Sequence, residues 1–114
     1  MHNKNKGRWG ERFATGFLID KGYKIIDTNY SRKSGEIDIV AVRGNTIHFI
    51  EVKARSSIKY GQPLEAINRK KLKHIENTAQ LYMVEKGYAG KYPMSIDAIS
   101  IIGKDIMHIE GIYL

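Results

Sequence analysis

The sequence predicts an α/β domain, with a central mixed sheet of five strands flanked by helices in the order α-β-β-β-α-β-β. Three observations predict it. Two stretches carry apolar residues at helical spacing, and five short stretches rich in β-formers lie between and after them. The 114 residues leave room for one core, and strands interleaved with helices point to a sheet packed by helices.

Each element has its own signal. Residues 5–21 read as a helix, with Trp9, Phe13 and Phe17 recurring every four residues as one apolar stripe, and Gly22 stands where a C-terminal cap glycine belongs. Residues 23–30 (YKIIDTNY) read as a strand. After a turn at 31–35, EIDIVAV (36–42) and TIHFIEVK (46–53) read as two strands around Gly44-Asn45, a good short hairpin signal. Residues 54–62 read as a polar loop, and Pro63 suits the first turn of a second helix running to about Lys86. That helix carries Leu64, Ile67, Leu72, Ile75, Ala79, Tyr82 and Met83 on one face, with Gly87 after its end. Residues 95–102 and 105–113 read as a final hairpin around Gly103-Lys104.

Composition narrows the function. The chain has 19 Lys and Arg against 12 Asp and Glu, a net charge of +7. So basic a small domain points to a polyanion, nucleic acid before membrane. Cysteine is absent, which excludes disulfides, thiolate metal sites and a cysteine nucleophile. The first residues are polar, no apolar run approaches the ~18 residues of a membrane span, and a cytoplasmic protein is expected. The four histidines show no HExxH spacing, so a histidine-based metalloprotease is not expected.

Two carboxylates stand where strands usually avoid them, Asp38 within Ile37-Asp38-Ile39 and Glu51 within Ile50-Glu51-Val52. If Gly44-Asn45 form a two-residue turn, Arg43 pairs with Thr46, and counting equally along both strands brings Asp38 opposite Glu51. Lys53 joins them by alternation. A three-residue turn would instead send the carboxylates to opposite faces. Two like charges so close repel, and a divalent cation between them removes the cost. Mg²⁺ takes hard oxygen ligands and often uses one or two carboxylates with water and phosphate. With Lys53 to orient water or steady charge, the parts suit metal-assisted phosphodiester hydrolysis. A structural ion-pair cluster on a solvated face is the plain alternative.

Asp38 followed by Glu51-Val52-Lys53 on the next strand resembles the PD-(D/E)xK signature of restriction-endonuclease-like nucleases. The likeness extends to Gly10-Glu11-Arg12, Lys21-Gly22-Tyr23, the run from Gly35 to Ala41, Phe49 to Arg55, Gly61-Gln62-Pro63 and Lys71. Over nearly the whole chain the sequence resembles the YraN-type family of bacterial proteins, which are similar to archaeal Holliday-junction resolvases. The resemblance implies a restriction-endonuclease-like fold, metal binding by Asp38 and Glu51 with the Val52 carbonyl as a third ligand, and catalytic support from Lys53. It also implies a site role for Glu11, which on the residues alone reads rather as a glutamate favoured by the helix dipole. Ile37 stands where the signature has proline. Glu36 reads as surface, and Asp97, a strand carboxylate with no evident partner, reads as structural.

Residues 53–74 hold Lys53, Arg55, Lys59, Arg69, Lys70, Lys71 and Lys73 against one acid, Glu65, which is nearly the whole net charge. Arg55 and Lys59 are expected to hold a nucleic-acid backbone and Tyr60 to stack on a base or ribose. Lys70, Lys73 and His74 are expected to form a stripe beside Lys71, and Gln62 to touch the site. A solvated helix face is the alternative for the lysines. No sequence-reading module appears, so backbone and shape recognition is expected, of DNA before RNA. The sequence therefore points to a Mg²⁺-dependent nuclease, with Mn²⁺ as a substitute ion. A non-catalytic nucleic-acid-binding module is the alternative, and a scaffold using its basic face for an acidic protein a weaker one. A homodimer would supply the two sites that a symmetric junction requires.

Overall fold

A computed structural model describes residues 4–55 and 68–112, with side chains from Trp9 onward. The elements are α1 (Lys4–Asp20), β1 (Lys24–Arg32), β2 (Gly35–Arg43), β3 (Thr46–Arg55), α2 (Arg69–Glu85), β4 (Met94–Ile102) and β5 (Asp105–Ile109). This is the expected α-β-β-β-α-β-β order. The strands lie in sequence order in one five-stranded sheet. Three pairings are antiparallel and β3–β4 is parallel, so the sheet is mixed. A parallel pair needs a crossover, and α2 lies within it.

The two helices cover opposite faces. On one, Ala14 and Leu18 of α1 pack with Ile39, Ala41, Ile50, Ile99 and Ile101. On the other, Ile75, Ala79, Tyr82 and Met83 of α2 pack with Tyr30, Val40, Phe49 and Ile96. The apolar face expected for the second helix is thus the buried one from Leu72 onward. Its start is corrected: Asn68 caps α2, its side chain accepting the Lys71 amide at 2.9 Å. An asparagine placed to accept an amide of the first turn stops the helix there. The loop calls at 56–62, and Pro63, Leu64 and Ile67, lie outside the described residues. The last strand ends at Ile109, short of the expected 113.

The α1 stripe is also corrected. Trp9 is 47% exposed, whereas Ala14 and Leu18 are fully buried, with Phe13 and Phe17 packed at the flank. The reason is close approach. A Cβ placed on Gly10 would lie 3.0 Å from the Ala54 Cβ, so the helix meets β3 through small residues and the aromatics spread to its side. This turns Glu11, one residue beyond Gly10 and three before Ala14, toward the sheet rather than away from it. Gly22 does cap the helix, at φ +91°, with the Tyr23 amide bonded back to the Leu18 carbonyl at 3.0 Å.

The hairpin has the two-residue turn. Arg43 pairs with Thr46, and the ladder runs to Ile39 opposite Ile50. There β2 departs from regular alternation. Ile37 and Val40 pack on the α2 face, while Ile39 and Ala41 pack on the α1 face. At the same level of β1, between Thr28 opposite Ile39 and Tyr30 opposite Ile37, Asn29 has φ +52°. Non-glycine residues rarely adopt that conformation, and asparagine tolerates it best. The sheet is therefore irregular on both strands where Asp38 stands.

Gly10→Val should lower stability by about 1–3 kcal/mol, because the added carbons have no room against Ala54. Phe49→Ala should cost about 3–5 kcal/mol. Urea midpoints measure both, and an unchanged midpoint for G10V would contradict the close approach of α1.

Candidate functional site

The irregularity in β2 frees the Asp38 side chain to act as a backbone substitute. Its Oδ2 accepts the Val52 amide at 2.7 Å, just past the last regular rung of the β2–β3 ladder. Glu51, 8% exposed, stands beside Val52 on β3. Lys53 Nζ lies 3.3 Å from Glu51 Oε1, and Lys71 Nζ reaches the same oxygen from α2 at 4.0 Å. From α1, Glu11 accepts a hydrogen bond at 3.0 Å from the Asn29 amide group.

Negative charge converges on Asp38. Burial first, and then the Glu51 charge, push its carboxyl up to about 8; Glu11 and Glu36 add to the rise and the Val52 amide opposes it. The two lysines answer from the other side. Desolvation pulls the Lys53 ammonium down, but Lys71, Glu51 and Asp38 outweigh it and its pKa is raised. Lys71 is lowered, by its contact with Lys53 and then by desolvation. All-oxygen donors under mutual repulsion are the kind of set that a hard divalent cation relieves. The bond to Asp38 uses the Val52 amide; the carbonyl expected as a third ligand is a separate group of the same residue.

A cleft of about 320 Å³ opens between the start of β2 and the first turns of α2. It is lined by Gly35, Glu36, Asn68, Lys70, Lys71 and His74. Lys71 thus belongs both to the cleft and to the carboxylate cluster. Lys73 does not line it; its ammonium lies 3.7 Å from Glu76 along the helix. Arg55 ends β3, with its guanidinium on the Ala54 carbonyl at 3.2 Å. Lys59, Tyr60 and Gln62 lie outside the described residues.

The sequence reading missed two features. Asn29 is one; the only trace of its role is an asparagine inside a strand of β-formers. The other surrounds Asp97, which does have partners. His48 Nδ1 and His108 Nε2 each lie 2.7 Å from its Oδ2, and Ser95 Oγ donates to its Oδ1 at 2.6 Å. Burial would raise this carboxyl, but the hydrogen bonds from His108, His48 and Ser95 hold it well below the usual carboxylate range. His48, Asp97, His108 and Glu110 offer ligand atoms within 4.8 Å of one another, a group that can hold a metal ion. Histidines that look scattered along the chain converge because β3, β4 and β5 are neighbours.

The family described as uncharacterised protein family UPF0102 matches residues 10–101. The chain belongs to that family. This is the YraN type that its motifs resemble. A UPF0102 protein of Clostridioides difficile is 43% identical over 99% of this chain and 100% of its own. One from Thermotoga neapolitana is 44% identical over 94% and 96%, and one from Persephonella marina 39% identical over 95% and 92%. Among the described residues of this UPF0102 chain, no helix is long and apolar enough to cross a membrane.

Asp38→Asn keeps an oxygen for the Val52 amide and removes the charge. A carboxyl raised from 3.8 to about 8 contributes stability that is full below pH 3.8 and lost as pH rises through about 8. In chelator-treated samples, the melting temperature of D38N should therefore gain on the wild type across that range. The corresponding difference in stability should reach on the order of a few kcal/mol at alkaline pH. A gap independent of pH would contradict the burial of this carboxylate against Glu51.

Proposed function

We propose that the protein is a Mg²⁺-dependent nuclease that hydrolyses DNA phosphodiester bonds at branched or irregular structures, with Mn²⁺ as a substitute ion. The observation that carries the reading is the gathering of Asp38, Glu51 and Lys53 at one break in the sheet, next to a cleft that Lys70, Lys71 and His74 line. Asp38 and Glu51 would hold the ion, which when bound would polarise the phosphate and acidify a water. Lys53, fixed against Glu51, would orient the attacking water and steady the charge that grows on the phosphate oxygens. Glu11 would support a water on the α1 side, held by Asn29. Lys70 and Lys71 would bind backbone phosphates in the cleft, an affinity without sequence preference. Two copies of the chain would serve a symmetric junction.

The test is cleavage of labelled single-stranded, duplex, flap and four-way-junction DNA with Mg²⁺ or Mn²⁺. Asp38→Ala and Lys53→Ala should each lower the rate by ~10²-fold or more, as loss of a positioned catalytic group does. Lys70→Ala should weaken binding uniformly across sequences and flatten its salt dependence. Full activity in both D38A and K53A would overturn the proposal. Salt-dependent binding with no turnover in either metal would support the non-catalytic binding module instead.

A further inference from the structure

A second polar centre lies on the other face of the sheet. His48 and Glu51 are three residues apart on β3, so alternation sends them to opposite sides. The Tyr23 ring, part of the α1-side core, packs edge-on against His48 at 5.0 Å. There His48 of β3, Asp97 of β4, His108 of β5 and Glu110 just beyond it converge. Asp97 is 1% exposed and His48 6%.

The orientation of these groups is specific. Asp97 Oδ1 is taken up by Ser95 Oγ at 2.6 Å and the Gly111 amide at 3.2 Å, which leaves Oδ2 to face both imidazoles. The Tyr23 hydroxyl donates to Glu110 Oε1 at 2.8 Å, and the same oxygen lies 4.0 Å from His48 Nδ1. Two imidazole nitrogens and two carboxylate oxygens therefore converge, with Asp97 anchored through its outer oxygen and Glu110 positioned by Tyr23. That is how metal-ligating side chains are oriented. Tetrahedral Zn²⁺ with ligands at ~2.0–2.1 Å spaces them ~3.3 Å apart, between the 2.7 Å and 4.0 Å seen here.

We propose that His48, Asp97, His108 and Glu110 form a closed site for one Zn²⁺-class transition ion, with a structural role. Four protein ligands complete a tetrahedron and leave no open position for chemistry. The ion would tie β3, β4 and the short edge strand β5 together, and through Tyr23 tie them to the end of α1. Nitrogen donors suit Zn²⁺ or Co²⁺ over Mg²⁺, so this centre and the all-oxygen cluster at Asp38 select different ions.

Titration of the chelator-treated full chain with Zn²⁺ alone, and with Co²⁺ alone as a spectroscopic probe, tests the site. The expected result is about one equivalent of Zn²⁺ bound, a higher melting temperature, and the visible bands of tetrahedral Co²⁺. Asp38→Ala should keep all three. His108→Ala should abolish the bands, and Tyr23→Phe should weaken binding roughly 10–100-fold by releasing Glu110. Should H108A fail to fold, Tyr23→Phe and Glu110→Gln carry the same comparison. An absence of Co²⁺ bands in the wild type would overturn the proposal. So would bands that survive in folded H108A, or bands lost in D38A. None of these readouts involves DNA cleavage, so the nuclease reading stands or falls separately.

Discussion

The hydrogen bond from the Val52 amide to the Asp38 carboxylate sets the layout of the candidate site. A strand amide at the end of a ladder needs an acceptor. Here a side chain supplies it, and β2 no longer has to stay in regular register with β3. Ile37 then packs toward α2 although Ile39 packs toward α1. The carboxylate that makes the bond is placed against Glu51, at the cost of raising its own pKa. Asn29 at φ +52° on the facing strand and Glu11 beyond it follow the same break. Irregular backbone concentrated where charge converges is typical of a site rather than of a scaffold.

What could be read from the sequence follows from what is local. The Gly44-Asn45 turn fixes a register by itself, and that register runs as expected from Arg43–Thr46 to Ile39–Ile50; the next rung, Asp38 opposite Glu51, is not formed because β2 breaks there. The side of α1 that faces the sheet was not legible. Trp9, Phe13 and Phe17 dominate any hydrophobic count, yet the close approach to β3 is made at Gly10, and Ala14 and Leu18 are the α1 residues that are fully buried. That inversion matters because it decides where Glu11 points.

The partners of Asp97 were illegible for a different reason. Ser95 and His108 are near in sequence, but His48 is brought in by the parallel pairing of β3 with β4, which aligns His48 with Ser95 and Ile50 with Asp97. No turn specifies a parallel register; it is set by the packing of α2 and by the strands' own burial. A histidine in one strand and an aspartate in another therefore look unrelated until the sheet is assembled. Asn29 belongs to the same class, since a positive φ leaves only a residue preference in the sequence.

Strand alternation then separates two chemistries on one short segment. From His48 to Glu51, β3 offers an imidazole to the α1 face and a carboxylate to the α2 side, with Phe49 and Ile50 filling the two cores between them. The α1-side centre is buried at His48 and Asp97 and reaches the surface at Glu110, with Ser95, Gly111 and Tyr23 positioning its carboxylates. The Asp38 cluster instead adjoins an open cleft through Lys71, which is 40% exposed. A centre with two imidazole and two carboxylate donors suits an ion that stays. One that is oxygen-only and beside a basic cleft suits an ion that arrives with a phosphate. The sheet keeps the two apart by the oldest rule of its geometry, that neighbours along a strand point opposite ways.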